Sequence, residues 1–89
     1  MNHIRVETFF PDKPHAQKIQ IYADGEWIER AYEIISDIEE AKTLGLEFRF
    51  EDVPGGKLMW VEFYANVRIE ERDDGNKSVF LTELTKEES

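Results

Sequence analysis

Two histidines, His3 and His15, are the only side chains whose ordinary pKa lies near neutrality, and the chain has no cysteine. Thiol chemistry, disulfides and cysteine metal sites are therefore excluded. His3 stands near the N-terminus and His15 between prolines and polar residues. No serine or carboxylate spacing ties either to a catalytic constellation, and neither belongs to a metal-binding pattern such as His-x3-His. Both read as surface histidines without a role. Gly55-Gly56-Lys57 lacks the rest of a phosphate-binding loop and reads as a hairpin turn. Residues 70–76 (EERDDGN) invite a calcium reading. With Gly75 at the sixth position of an EF-hand loop, Arg72 and Leu81 fall on ligand positions, which defeats it. What remains there is a charged turn with at most a loose cation site on Glu70, Asp73 and Asp74. Carboxylate pairs abound, yet acid–base catalysis needs two whose surroundings drive their pKa values apart, and these fall on outward faces. No nucleophile is nominated. The expectation is a protein that is not an enzyme, with no catalytic residue, no cofactor and no metal.

Two other sets of residues carry more. From Gly25 to Leu44 (GEWIERAYEIISDIEEAKTL), a helical period of about 100° per residue gathers Trp27, Ile28, Ala31, Ile34, Ile35, Ile38 and Ala41 into one apolar stripe. Opposite them Glu26, Glu29, Glu33, Asp37 and Glu40 fall within a sector roughly 80° wide. Like charges at i,i+3 and i,i+4 weaken a helix by a few tenths of a kcal/mol each, so such a row invites a functional explanation. At a rise of about 1.5 Å per residue it spans roughly 21 Å. Its neighbours are about 5–6 Å apart, comparable with successive phosphates of a nucleic acid. The second set lies among the strands, where Trp60 and Tyr64 take the parity opposite to the core-facing residues. An expected hairpin register adds Val79 and Leu81 beside them, and Leu58, Tyr22 and Phe9 share the outward parity. An apolar set of this kind marks a partner or dimer surface.

The elements that would position these residues follow from alternation and turn chemistry. Ile4 to Phe10 and Lys18 to Ala23 alternate as strands and pair across the proline break. Asp24-Gly25 suits either a type I′ hairpin turn or the start of a helix. The unbroken apolar period beyond it favours the helix, with Gly45 at its left-handed C-terminal position. Leu46 to Val53 and Leu58 to Arg72 alternate about Pro54-Gly55-Gly56. That arrangement sets Phe50 opposite Val61, Phe48 opposite Phe63, Leu46 opposite Ala65 and Arg49 against Glu62. The second of these strands exceeds the usual length, so a bend near Ala65-Asn66 is expected. Asp74-Gly75 closes a further hairpin to Ser78–Thr85, placing Ile69 opposite Phe80 and Val67 opposite Thr82. The order is β-β-α-β-β-β: an α+β fold in which an antiparallel sheet of about five strands carries one long helix on one face. The chain, residues 1–89, makes one domain, with residues 86–89 a frayed tail.

Twenty acidic against eleven basic residues give a formal charge of −9. That disfavours direct contact with nucleic acid or an anionic membrane. No apolar run approaches the length of a membrane span and the N-terminus lacks the apolar core of a signal peptide, so a cytoplasmic protein is expected. Together these readings point to a small acidic binding protein, an inhibitor or modulator. It would occupy a basic, nucleic-acid-binding surface of a partner protein through the acidic helix face, as a nucleic-acid mimic among phage or bacterial accessory proteins would. The alternative is a homodimeric structural component joined through Trp60, Tyr64, Val79 and Leu81.

Overall fold

The computed structural model describes residues 1–13, 17–36 and 43–87, with 32–36 described by their backbone. Among the described residues it has seven strands: β1 (Asn2–Pro11), β2 (Lys18–Ala23), β3 (Glu26–Trp27), β4 (Ala31–Ser36), β5 (Arg49–Val53), β6 (Gly56–Glu71) and β7 (Lys77–Thr85); Thr43 and Leu44 are helical. All seven strands belong to one sheet of order β3-β2-β1-β6-β7-β4, with β5 added to β6. Every pairing is antiparallel except β4 with β7. The architecture is thus nearly all antiparallel β-sheet, and the α+β fold with a long helix is not the one formed.

The correction begins at Asp24-Gly25. Both residues have positive φ, 51° and 82°, and Ala23 pairs with Glu26 across them. This is the type I′ turn, whose twist matches that of the strands it joins. Asp24 tolerates the left-handed region because its carboxylate is satisfied locally. It accepts from Asn2 Nδ2 at 2.7 Å and from the His3 N–H at 2.9 Å. From Glu26 to Ser36 the chain forms β3, a turn at Glu29-Arg30 and β4, so over these residues the 3.6-residue period of the apolar stripe has no helix to act on. Residues 31–36 instead run parallel to β7, Ile34 opposite Val79 and Ile35 opposite Phe80. Adjacent β-branched residues favour a strand, and the otherwise open edge of β7 supplies the ladder. Ile38, Ala41 and the remainder of the expected helix up to residue 42 lie outside the described residues.

β6 is the spine. Its first ten residues pair with β1, Gly56 opposite Pro11 through Ala65 opposite Asn2. Its other edge is shared, residues 56–60 with β5 and the stretch from Tyr64 to Glu71 with β7. Alternation then sorts the side chains. Ile4, Ile21, Val61, Phe63 and Ala65 are buried on one face; His3, Arg5, Glu7, Trp60, Glu62 and Tyr64 take the other. The register between β6 and β7 shifts at Tyr64/Asn66, where Glu83 has φ 54°. This is a bulge, in the region where so long a strand was expected to bend. It shifts the parity of β7, so that Leu84 as well as Val79 and Leu81 is buried with the core.

Two expected registers are corrected. β5 meets β6 two residues earlier, Phe50 opposite Met59 and Arg49 opposite Trp60, because Pro54-Gly55 alone forms the turn. At the next hairpin the loop has three residues, not two. Arg72 N–H donates to Asn76 O at 2.7 Å, Gly75 N–H to Arg72 O at 3.1 Å, and Gly75 has φ 85°. The extra residue sets Ile69 opposite Val79 and Val67 opposite Leu81. A shift of one residue exchanges the faces. Val79 (0% exposed) and Leu81 (3%) therefore belong to the core and not to the outer face.

The sheet is strongly curled. Laid flat, β3 and β4 would stand five strand spacings apart, about 24 Å at 4.7–4.9 Å each. Only residues 28–30 join them, a reach of at most about 14 Å from Trp27 to Ala31. Those residues bridge the gap directly: Ile28 N–H donates to Ile21 O at 3.0 Å, and Arg30 O accepts from Lys77 N–H at 2.9 Å. Arg30, at φ 59°, makes the corner. One end of the sheet is thereby drawn closed around Ile28, which is buried. Among the described residues no helix is long and apolar enough to cross a membrane.

Candidate functional site

The acidic row of the sequence is dispersed. Glu26 lies in β3 and Glu29 in the bridge after it, both exposed; Glu33 is in β4. Asp37 and Glu40 lie outside the described residues, as does His15. Glu26, Glu29 and Glu33 fall on a strand, a turn and a second strand, so among the described residues they do not share one helical face, and their phosphate-like separation has no helix to rest on.

The outer sheet face keeps Trp60 and Tyr64 but not Val79 and Leu81. Trp60 is half-buried beneath Arg5, whose guanidinium carbon lies 5.0 Å from the ring centroid. Arg5 is held there by carboxylates on both sides. Its Nε donates to Glu7 at 3.0 Å, and its Nη1 to Glu62 at 3.3 Å. His3 meets Tyr64 edge-on at 5.4 Å between centroids and stands 3.8 Å from Glu62. The aromatics are thus covered by charged side chains of β1, forming a mosaic instead of a bare apolar patch. Sequence parity located them; only the pairing of β1 with β6 brings Arg5 and His3 over them.

A different surface forms at the closed end of the sheet. Residues 26–29 rim an open groove of about 390 Å³ that Ile69 and Lys77 also line. Trp27 is 51% exposed and Ile69 44% exposed. Glu26 and Glu29 flank the indole in sequence. The β6–β7 hairpin lies against the same corner: Lys77 is bonded to Arg30, and Arg30 Nη1 is 3.3 Å from where a Cβ on Gly75 would sit. Glu71, Asp73 and Asp74, all exposed, belong to that hairpin, where with Arg72 they line a separate open depression. A helical reading hides Trp27 in the core. The Asp24-Gly25 signal could have exposed it, since a two-residue turn makes Glu26 and Trp27 an edge strand.

Two aspartates of these turns hold their protons less tightly than usual. Asp24 is lowered by the hydrogen bond from Asn2 and then by the His3 N–H. Asp74 is lowered chiefly by the Asn76 N–H, which donates to its Oδ1 at 3.0 Å. Both bonds act by favouring the charged form. Asp74 is also 3.8 Å from Arg72, and Glu70 pairs with Arg68, so the acidic hairpin neutralises part of its own charge. Among the described residues, no three of His, Asp or Glu converge as a metal site.

Compared with protein-family models, with curated proteins and with solved structures, the chain matches none.

Proposed function

We propose that the protein is a non-enzymatic binding protein that occupies a basic surface of another protein through the acidic corner around Trp27. The observation that carries this reading is the exposed indole at the groove, with Glu26 and Glu29 beside it and the acidic β6–β7 hairpin meeting Arg30 at Gly75. The groove carries Glu26 and Glu29 against Lys77, and the whole chain carries −9. Such a field accelerates encounter with a basic patch. A large, partly exposed aromatic then supplies the apolar contact that slows release, as tryptophan does at the centres of interfaces. A nucleic-acid-binding surface is one basic surface that fits, and binding there would block its use.

The test is capture from a native cell extract on immobilised protein, comparing wild type with Trp27→Ala and with Glu26→Lys/Glu29→Lys. A discrete basic protein retained by wild type and lost by both variants supports the reading. Retention of the same protein by all three overturns it. A broad set of basic proteins held equally by wild type and Trp27→Ala also overturns it, because charge alone would then account for binding.

A further inference from the structure

β5 pairs with β6 on one side and, among the described residues, with no strand on the other. The backbone groups on that open side can be identified. Pro54-Gly55 is a two-residue turn, so Val53 and Gly56 form the hydrogen-bonded closing pair. The other edge of β6 agrees: Asp12 N–H donates to Gly55 O at 3.0 Å, the bond that flanks a non-hydrogen-bonded Pro11–Gly56 pair. Alternation from Val53 turns the N–H and C=O groups of Arg49 and Glu51 toward β6. Those of Phe50 and Asp52 point to the open edge, and Phe48 immediately precedes the strand. Two large apolar side chains stand on this edge, Phe48 at 53% and Phe50 at 60% exposure. Phe50 also ends an inner-face row that runs Ile19, Thr8, Met59, Phe50 across four strands.

We propose that two copies of the chain join antiparallel through this edge, with Phe50 opposite Phe50 at a two-fold axis. The charges select the register. Two-fold pairing must match outward-bonding residues with each other, which leaves only shifts by two along the partner strand. Phe48 opposite Phe50 would set Arg49 against Arg49. Phe50 opposite Asp52 would set Glu51 against Glu51. Phe50 opposite Phe50 sets Arg49 against Glu51 twice, and it does so at non-hydrogen-bonded positions, where the side chains approach most closely. The same arrangement exchanges backbone bonds between the two Phe50 residues, and extending β5 by one residue adds bonds between each Phe48 and Asp52. It also continues the apolar inner row from one copy into the next. A second copy is therefore the occupant whose charges this edge complements. An isologous contact of this kind closes on itself and leaves neither β5 edge for a third chain.

Sedimentation over a range of protein concentrations tests the proposal. The salt is set near 0.15 M, where a Debye length of about 8 Å screens the net charge of the two copies. Wild type forms a dimer. Arg49→Glu, which faces Glu51 with a like charge, weakens it by at least about tenfold, the factor that 1.4 kcal/mol represents. The exchange Arg49→Glu/Glu51→Arg restores it, and Phe50→Asp abolishes it. All three positions are exposed, and the far-ultraviolet circular dichroism of each variant stays that of wild type. A wild type that remains monomeric overturns the proposal, including one that pairs this edge with some other protein. So does an Arg49→Glu variant that dimerises as well as wild type, or an exchanged variant that does not recover. Trp27 and its carboxylates lie on other strands, so failure here leaves the binding surface untouched.

Discussion

At the scale of single residues, the turns show how a side chain secures backbone geometry that its own Cβ disfavours. Asp24 sits at φ 51° and ties its turn to the start of β1 through Asn2 and the His3 N–H. Its pKa is lowered by those bonds, so between the folded value and the ordinary aspartate value the unfolded chain binds more protons than the folded one. Stability from this group is complete above the ordinary value and is lost as pH falls through the folded one. Acid titration of wild type and Asp24→Asn, followed by circular dichroism, should show this difference. Wild type loses more stability than the variant across the acidic window below the usual aspartate range, and the two run parallel near neutrality. Gly56 illustrates the opposite constraint. Its φ is ordinary, but a Cβ there would collide with Phe10 O and the Phe9 ring, because β1 passes it closely.

At the scale of elements, loop length decides which residues a strand buries. The three-residue loop closing on Gly75 makes Val79 and Leu81 core residues, while Trp60 stays on the opposite face. Replacing Leu81 by Ala should therefore cost about 2–5 kcal/mol in denaturant unfolding, the range for deleting a buried leucine side chain. Trp60→Ala should cost less, since that ring is half-exposed and loses mainly its contact with Arg5. Equal and small losses for both would restore Leu81 to the outer face. Much of the strand pattern was legible beforehand: the alternation over Ile4–Phe10, Lys18–Ala23 and Leu58–Arg72 names strands that are present. The register was less legible. A turn signal such as Asp74-Gly75 marks a hairpin without fixing whether its loop has two or three residues, and that one residue exchanges the faces.

At the scale of the whole molecule, charge and curvature act together. A bridge of residues 28–30 draws the two ends of the sheet together and brings Trp27 and Ile69 to one groove. Binding to a basic partner there should weaken as salt is raised, mainly through slower association, because screening shortens the reach of the field. Surface-resonance kinetics on the captured partner would measure it. An association rate insensitive to salt would remove the electrostatic part of the proposal. The five carboxylates singled out in the sequence share this role only in part. Glu26 and Glu29 stand at the corner, Glu33 lies in β4, and Asp37 and Glu40 fall outside the described residues.

Acidity, the absence of thiol chemistry and the alternating runs that become β1, β2 and β6 are written in the residues alone. These are local properties, set by composition and by a period of two. The state of residues 25–36 depends instead on long-range pairing. Trp27, Ile28, Ala31, Ile34 and Ile35 satisfy a helical stripe and a pair of short strands equally well at the level of pattern. The choice between them falls to partners distant in sequence. The edge of β2 accepts β3, the edge of β7 accepts β4, and Asp24 is bonded by Asn2 and His3 of β1. None of those ladders can be read from the segment alone, and together they turn an expected core helix into the exposed corner on which the proposed binding surface stands.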